Sequence, residues 1–320
     1  MRINTNMAAL NAWRSMTVNN NAMTKSLEKL SSGYRVNRAA DDAAGLAVSE
    51  KMRAQIRGLN MAIRNAQDGV SLVQTAEGGA QKIQDMLQRM RELAVQANSG
   101  TLQKSDKQLL QKEFKQLALE ITRTAESSKF NEIPLASVIA DVTNGSPYPP
   151  PDDNTYEKYA TKTISIQVGP GATTDDKIAV TIADLRAEVL GAKVEHEVGN
   201  PKFMAICELD ISTEAEYDNT TNKLTKHAGA ETAIKVIDEA LTTLSKTRAD
   251  FGAIQNRLEA AIETLQIQSE NLTAAESRIR DVDMAQEMAT FTKYQILQQA
   301  STAMLAQANQ STQAILSLLR

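Results

Sequence analysis

Proline is missing from both ends of this chain. All seven prolines lie between Pro134 and Pro201. A proline inside a helix costs about 3 kcal/mol, so the two outer blocks can form long uninterrupted helices and the middle cannot. Aromatics are scarce, at 4% of 320 residues, while Ala, Leu, Ile and Met carry most of the 42% hydrophobic content. That palette argues against a sandwich or barrel and predicts a mainly α protein. A single cysteine, Cys207, excludes an internal disulfide framework and a multi-cysteine metal site. Within FMAICELD it reads as a packed or partly exposed thiol in a short β-like run. No apolar run approaches the roughly 18 to 20 residues needed to cross a bilayer. The net charge of -4 gives no electrostatic reason to bind nucleic acid or an anionic membrane. The opening MRINTNMAALNAW has no charged start followed by an apolar core, as a cleaved secretory leader would. Composition alone therefore predicts a cytoplasmic protein.

The periodicity supplies what composition leaves open. Leu59, Ile63, Ala66, Val70, Val73, Ala76, Ala80, Ile83, Leu87, Met90, Ala94 and Ala97 follow steps of three and four, a heptad seam with one irregular step at Val70 to Ala76. At 1.5 Å per residue this segment extends roughly 58 Å, too long for the interior of one compact domain, so it packs sideways on other helices. Asn98, Ser99 and Gly100 stop the helix, and Ser105 with Gln108 reads as a capping box for a second arm ending near Ser128, which makes an αα hairpin. Leu109, Leu110, Phe114, Leu117, Leu119 and Ile121 give that arm its apolar face. A second seam runs through Ile234, Ile237, Leu241, Leu244, Phe251, Ile254, Leu258, Ala261, Leu265, Leu272, Ile279 and Val282. Neither seam is covered locally, so the two N-terminal arms and this C-terminal helix are expected to form one bundle.

The extreme ends carry wide stripes flanked by Asn, Gln, Ser and Thr. One holds Met7, Leu10, Trp13, Met23, Leu27 and Leu30; the other holds Met284, Met288, Phe291, Tyr294, Leu297, Met304, Leu305, Ile315 and Leu319. Two helices paired through such stripes leave apolar surface uncovered, which points to self-association. The middle differs in kind. Thr163 to Val168 and Ile178 to Ile182 alternate polar and apolar around a turn from Gly169 to Asp176, a β-hairpin pattern. SPYPPPDDNTY before it is a proline-rich surface loop.

These ends resemble bacterial flagellin over residues 1–135 and 231–320. The resemblance rests on Ser31-Ser32-Gly33-Tyr34-Arg35-Val36-Asn37, Asp41-Asp42-Ala43-Ala44-Gly45, Arg57-Gly58-Leu59 and Asn65-Ala66-Gln67-Asp68-Gly69. It continues through Leu87-Gln88-Arg89-Met90-Arg91-Glu92-Leu93, Ser277-Arg278-Ile279-Arg280-Asp281-Val282-Asp283, Gln295-Ile296-Leu297-Gln298-Gln299-Ala300 and Leu305-Ala306-Gln307-Ala308-Asn309. It implies long antiparallel helices in a discontinuous terminal coiled-coil polymerisation domain, 1–42 with 278–320. A helical bundle domain follows from 43–185 with 230–277, including the β-hairpin near 163–182. A small variable outer segment is expected at 186–229, with the surface loop at 146–160.

The same resemblance implies a structural subunit of the flagellar filament, self-assembling and extracellular. Such a subunit passes unfolded through the flagellar type III export channel. Its implied partners are copies of itself, an export chaperone, a cap protein, hook-associated proteins and the innate immune receptor TLR5. The implied polymerisation residues are Met7, Leu10, Trp13, Leu27, Leu30, Met288, Phe291, Leu297, Met304, Leu305, Ile315 and Leu319; the implied TLR5 residues are Arg89, Leu93 and Glu113. A hook-filament junction protein has similar ends and is the alternative, since it would form short oligomers rather than long fibres. No catalytic chemistry or cofactor is expected. His196-Glu197 opens HEVGN, where a zinc protease needs H-E-x-x-H, and the remaining histidine, His227, is far away in the chain.

Overall fold

The computed structural model describes residues 6–137, 161–197, 200–212, 217–218, 223–224 and 229–318. The surface loop expected at 146–160, together with His227 and Leu319, lies outside these residues. Five long helices occur among the described residues: α1 (Met7–Ser32), α2 (Ala43–Ala97), α3 (Lys104–Ser127), α4 (Ala230–Arg280) and α5 (Met284–Leu318). Between α3 and α4 lie four antiparallel hairpins: β1 (Lys129–Phe130) with β2 (Ile133–Pro134), β3 (Thr161–Gln167) with β4 (Lys177–Ala183), β5 (Gly191–Glu197) with β6 (Asn200–Ala205), and β7 (Tyr217–Asp218) with β8 (Lys223–Leu224). The protein is mainly α, as expected.

The chain divides into a terminal unit, Met1–Gly58 with Ile267–Arg320, and a central unit, Leu59–Gln266. The resemblance implied domain boundaries at 42 and 278; continuous apolar burial on α2 and α4 begins at Leu59 and ends at Leu265.

In the central unit both seams are realised. Leu59, Ala66, Val73, Ala76, Ala80, Ile83, Leu87, Met90, Ala94 and Ala97 are buried, and Ile63 and Val70 half-buried. On α4, Ile237, Leu244, Phe251, Ile254, Leu258 and Leu265 are buried. Small seam residues let helix axes approach closely. Arg91 pairs with Asp238 at 2.6 Å, and the Arg248 guanidinium reaches Gln84 and Glu77 at 2.5 and 3.3 Å, which fixes the pairing of α2 with α4.

The second arm departs from its sequence reading in two respects. Helix α3 begins at Lys104 after Gln103, with no side-chain cap; Ser105 lies inside the first turn, so the expected capping box does not form. Phe114 and Ile121 are buried, but Leu109 and Leu119 are 63% and 64% exposed.

The hairpin β3–β4 pairs Ile164 with Val180 and Ile166 with Ile178, and Ile166, Ile178, Val180 and Ile182 turn inward. Gly69 makes room for it: a Cβ at that position would stand 2.5 Å from Ile166 Cδ1 and 3.4 Å from Leu258 Cδ1.

The expected outer segment is not a separate solvated insertion. Ala187, Leu190, Ile206, Leu209 and Ile211 belong to the same buried cluster as the bundle. The buried Gln111 side chain on α3 donates to the Leu209 carbonyl at 3.0 Å and accepts from the Ile211 amide at 2.9 Å. Segment 186–229 therefore supplies part of the central core. Cys207 is exposed, in a single 3-10 turn (Ile206–Glu208) after β6 rather than within a strand.

Candidate assembly interface

In the terminal unit α1 packs on α5. Three side-chain contacts show the pair to be antiparallel: Asn6 Nδ2 donates to the Ala308 carbonyl at 3.0 Å, Asn19 Nδ2 to Ser301 Oγ at 3.1 Å, and Ser26 Oγ to the Glu287 carbonyl at 3.5 Å. From the N-cap Asn6 a shielded row runs along α1 through Ala9, Ala12, Met16, Asn19, Met23, Ser26 and Leu30 in steps of three and four. On α5 a matching row includes Glu287, Phe291, Tyr294, Gln298, Ser301, Leu305 and Ala308. The seam mixes polar residues with Met16, Met23, Leu30, Phe291, Tyr294 and Leu305, and it leaves other large apolar groups of both helices uncovered.

Those groups face outward. Met7, Leu10, Trp13, Val18 and Leu27 on α1, with Met284, Met288, Ile296, Leu297 and Met304 on α5, are all exposed, Trp13 at 60% and Met304 at 65%. Among the residues singled out from sequence, Leu30, Phe291 and Leu305 instead lie half-buried in the pair. Ile315 lies near the end of α5. Isolated exposed leucines are ordinary; a helix pair with this many large ones has a surface awaiting cover.

The sequence reading matched several motifs without assigning them a role, and the structure brings three of them to one junction. Gly33 caps α1 in the left-handed region, φ 75°, and its amide donates to the Lys29 carbonyl, as a C-terminal glycine does. The chain then bridges Tyr34 to Asp281; Arg35 N donates to the Arg280 carbonyl at 2.7 Å and Val282 N to the Gly33 carbonyl at 3.0 Å. The Arg280 guanidinium lies 4.7 Å from the Tyr34 ring centroid and reaches Glu50 on α2 at 2.8 Å. That contact holds the Glu50 carboxyl below its usual range. Asp41 is likewise held low by the Arg38 and Asn37 amides it accepts from. Asp42 caps the Gly45 amide and Asp283 those of Ala285 and Gln286, so α2 and α5 each start on an aspartate. The interplay is invisible to periodicity because its partners are about 250 residues apart; the aspartates before each helix were the available signal.

In the central unit Arg89 and Glu113 meet across the αα hairpin at 2.9 Å, with Glu92 also on the guanidinium at 3.0 Å. Both carboxylates raise the Arg89 pKa, Glu113 most. Leu93 does not join them on the surface. At 1% exposure it is a core residue, while Arg89 and Glu113 stay exposed.

No helix among the described residues is long and apolar enough to cross a membrane, and no group of three or more metal-ligating side chains occurs among them.

Comparison with known proteins gives this geometry its family. The profile of the bacterial flagellin N-terminal helical region matches residues 3–139, and that of the C-terminal helical region matches 234–319. A flagellin of Bacillus subtilis is 48% identical over 100% of both chains, and a flagellar filament 31.3 kDa core protein of Treponema maltophilum is 43% identical, again over 100% of both. A crystal structure of Bacillus cereus flagellin is 27% identical, with a TM-score of 0.41 over 67% of this chain and 94% of its own. Full-length identity to filament proteins disfavours the hook-filament junction alternative. The two family profiles and the full-length filament relatives show it, in keeping with the heptad bundle and the antiparallel terminal pair: the chain belongs to the bacterial flagellin family, and it is a structural subunit of the flagellar filament rather than an enzyme.

Proposed function

We propose that the exposed apolar flanks of the α1–α5 pair are the faces through which subunits contact one another in the filament, with Met7, Leu10, Trp13, Leu27, Met288, Leu297 and Met304 as the contact residues. The observation that carries this reading is the apolar surface the pair leaves uncovered: Met7, Leu10, Trp13, Leu27, Met288, Leu297 and Met304 stay exposed although α1 and α5 are packed on each other. Fully burying one such side chain is worth about 1.5–3 kcal/mol, so covering several per subunit is enough to drive assembly. Leu30, Phe291 and Leu305 set the pair itself. Each helix is needed to orient the other. Deletion of residues 1–40 or of 285–320 is expected to leave a folded central unit that sediments as monomer at any concentration. Long filaments from either truncation would overturn the assignment.

Extracellular placement, export in an unfolded state and handling by an export chaperone, a cap protein and hook-associated proteins belong to the same reading. A subunit with uncovered apolar flanks needs shielding before it assembles.

A second reading concerns the monomer: Arg89 and Glu113 form the TLR5 epitope, and Leu93 supports it from the core. Charged side chains of fixed geometry on two rigid helices suit a receptor contact. Arg89→Ala and Glu113→Ala should each reduce receptor signalling by dissociated monomer at least about tenfold, a hot-spot-sized loss, without unfolding it. Full potency of both variants would remove the epitope, and undiminished signalling by crosslinked filaments would show that the epitope is not confined to the monomer.

A further inference from the structure

We infer that the solvent-facing thioethers of Met7, Met284, Met288 and Met304 are a sulfoxidation site through which a peroxide disables the unassembled subunit. Methionine is concentrated on the terminal pair: these four are exposed, whereas Met90 is completely buried in the central core and Met52 and Met86 are half-buried. Met61 alone among the described exposed methionines lies on the central unit. The inference rests on the proposed contact face, and adds a chemistry to it.

The step balances simply. A thioether sulfur attacks one peroxide oxygen, the O–O bond breaks, and the departing hydroxide takes up the peroxide proton. Methionine and hydrogen peroxide become methionine sulfoxide and water. Reactivity follows exposure of the sulfur. The product replaces a soft apolar end with a strong hydrogen-bond acceptor, which cannot be buried against an apolar partner without loss.

The location makes the consequence selective. None of the four stands on the α1–α5 seam, whose own methionines, Met16 and Met23, are half-buried and so react later. Oxidation of the four therefore leaves the seam contacts in place while it spoils the surface that the pair presents. Met284 and Met288 are one turn apart on one flank of α5, so two sulfoxides fall together there. In the filament the same sulfurs are covered, so the subunit is vulnerable before assembly and protected after it.

The test treats monomer and preassembled filament with limiting hydrogen peroxide, maps sulfoxides by peptide mass spectrometry, and measures assembly by sedimentation. In the monomer the four sites should oxidise ahead of Met90, and in the filament at least about fivefold more slowly. The critical concentration of oxidised monomer should rise about tenfold or more with its helical circular dichroism unchanged, and methionine sulfoxide reductase should restore it. A variant with all four methionines replaced by leucine should assemble and remain competent after peroxide; if it does not assemble, reductase rescue of the unmodified sequence decides. Unchanged assembly of the oxidised monomer, or equal peroxide sensitivity of the leucine variant, overturns the inference. The contact face itself fails under different results: equal oxidation rates in monomer and filament, or normal assembly when all four are replaced by glutamine.

Discussion

Asn131 and Glu132 join β1 to β2 with φ values of 47° and 65°, the positive pair that a two-residue hairpin turn of type I′ requires. Asparagine tolerates this region; glutamate does so at a cost. Glu132→Gly should therefore stabilise the central unit by up to about 1 kcal/mol, read from the midpoint of its denaturant unfolding. An unchanged or lowered midpoint would mean the turn is not formed in solution. Acid acts on other residues. Glu50 and Asp41 have folded-state pKa values below those of the unfolded chain, so each contributes stability above the ordinary carboxylate values, 4.5 and 3.8, that is lost as pH falls through its lowered one. Thermal unfolding of the monomer at a series of acid pH values should show the terminal unit losing stability over that range, and Glu50→Gln should weaken the loss. The turn at Asn131 was not legible beforehand because two residues on each side are too few to show a period. The hydrogen bonds of Asp41 escaped for a different reason: they depend on the local backbone and not on side-chain pattern.

At the scale of the helices, the seams of α2 and α4 could be read directly, since alternate three and four residue steps leave few other ways to bury Leu59 through Ala97. The terminal helices were legible only in part. Their stripes were visible, but hydrophobicity alone does not say which flank of a stripe a helix gives to its partner, and Leu30 and Leu305 went inward while Leu27 and Leu297 stayed out. That division separates two substitutions. Leu297→Asp places a carboxylate on an exposed flank, so the monomer should fold normally and fail to form filaments, because burying the charge in a contact costs several kcal/mol. Leu305→Asp should in addition loosen the α1–α5 pair, lowering helical content in the monomer. Sedimentation and circular dichroism together make the distinction; normal filaments from Leu297→Asp would take that flank out of the interface.

For the whole molecule, the proline distribution marked two long helical blocks around an interrupted middle and the resemblance of the ends supplied the domains, but neither revealed the status of residues 186–229. Their acidic, loop-rich composition resembles a solvated insertion, and composition cannot reveal that Leu190, Ile206, Leu209 and Ile211 are placed in the bundle core. Deleting residues 187–228 is accordingly expected to destabilise the central unit by several kcal/mol, since each lost buried aliphatic side chain is worth about 1.5–3 kcal/mol. Calorimetry of the deletion monomer measures this, and an unchanged melting temperature would restore the simpler view of a dispensable insertion.

The clamp formed by Gln111 also orders events in time. Its two bonds close a loop of about a hundred residues, whereas α2 and α3 meet through a connection of six, Asn98 to Gln103. Because the entropy of a long closure must be met before its contacts can contribute, the α2–α3 hairpin forms first and the 205–211 segment docks onto it afterwards. During refolding the Ile211 amide, which donates to Gln111, should therefore gain protection from hydrogen exchange later than the Leu87 amide. Simultaneous protection of the two would mean that the central unit closes in a single concerted step.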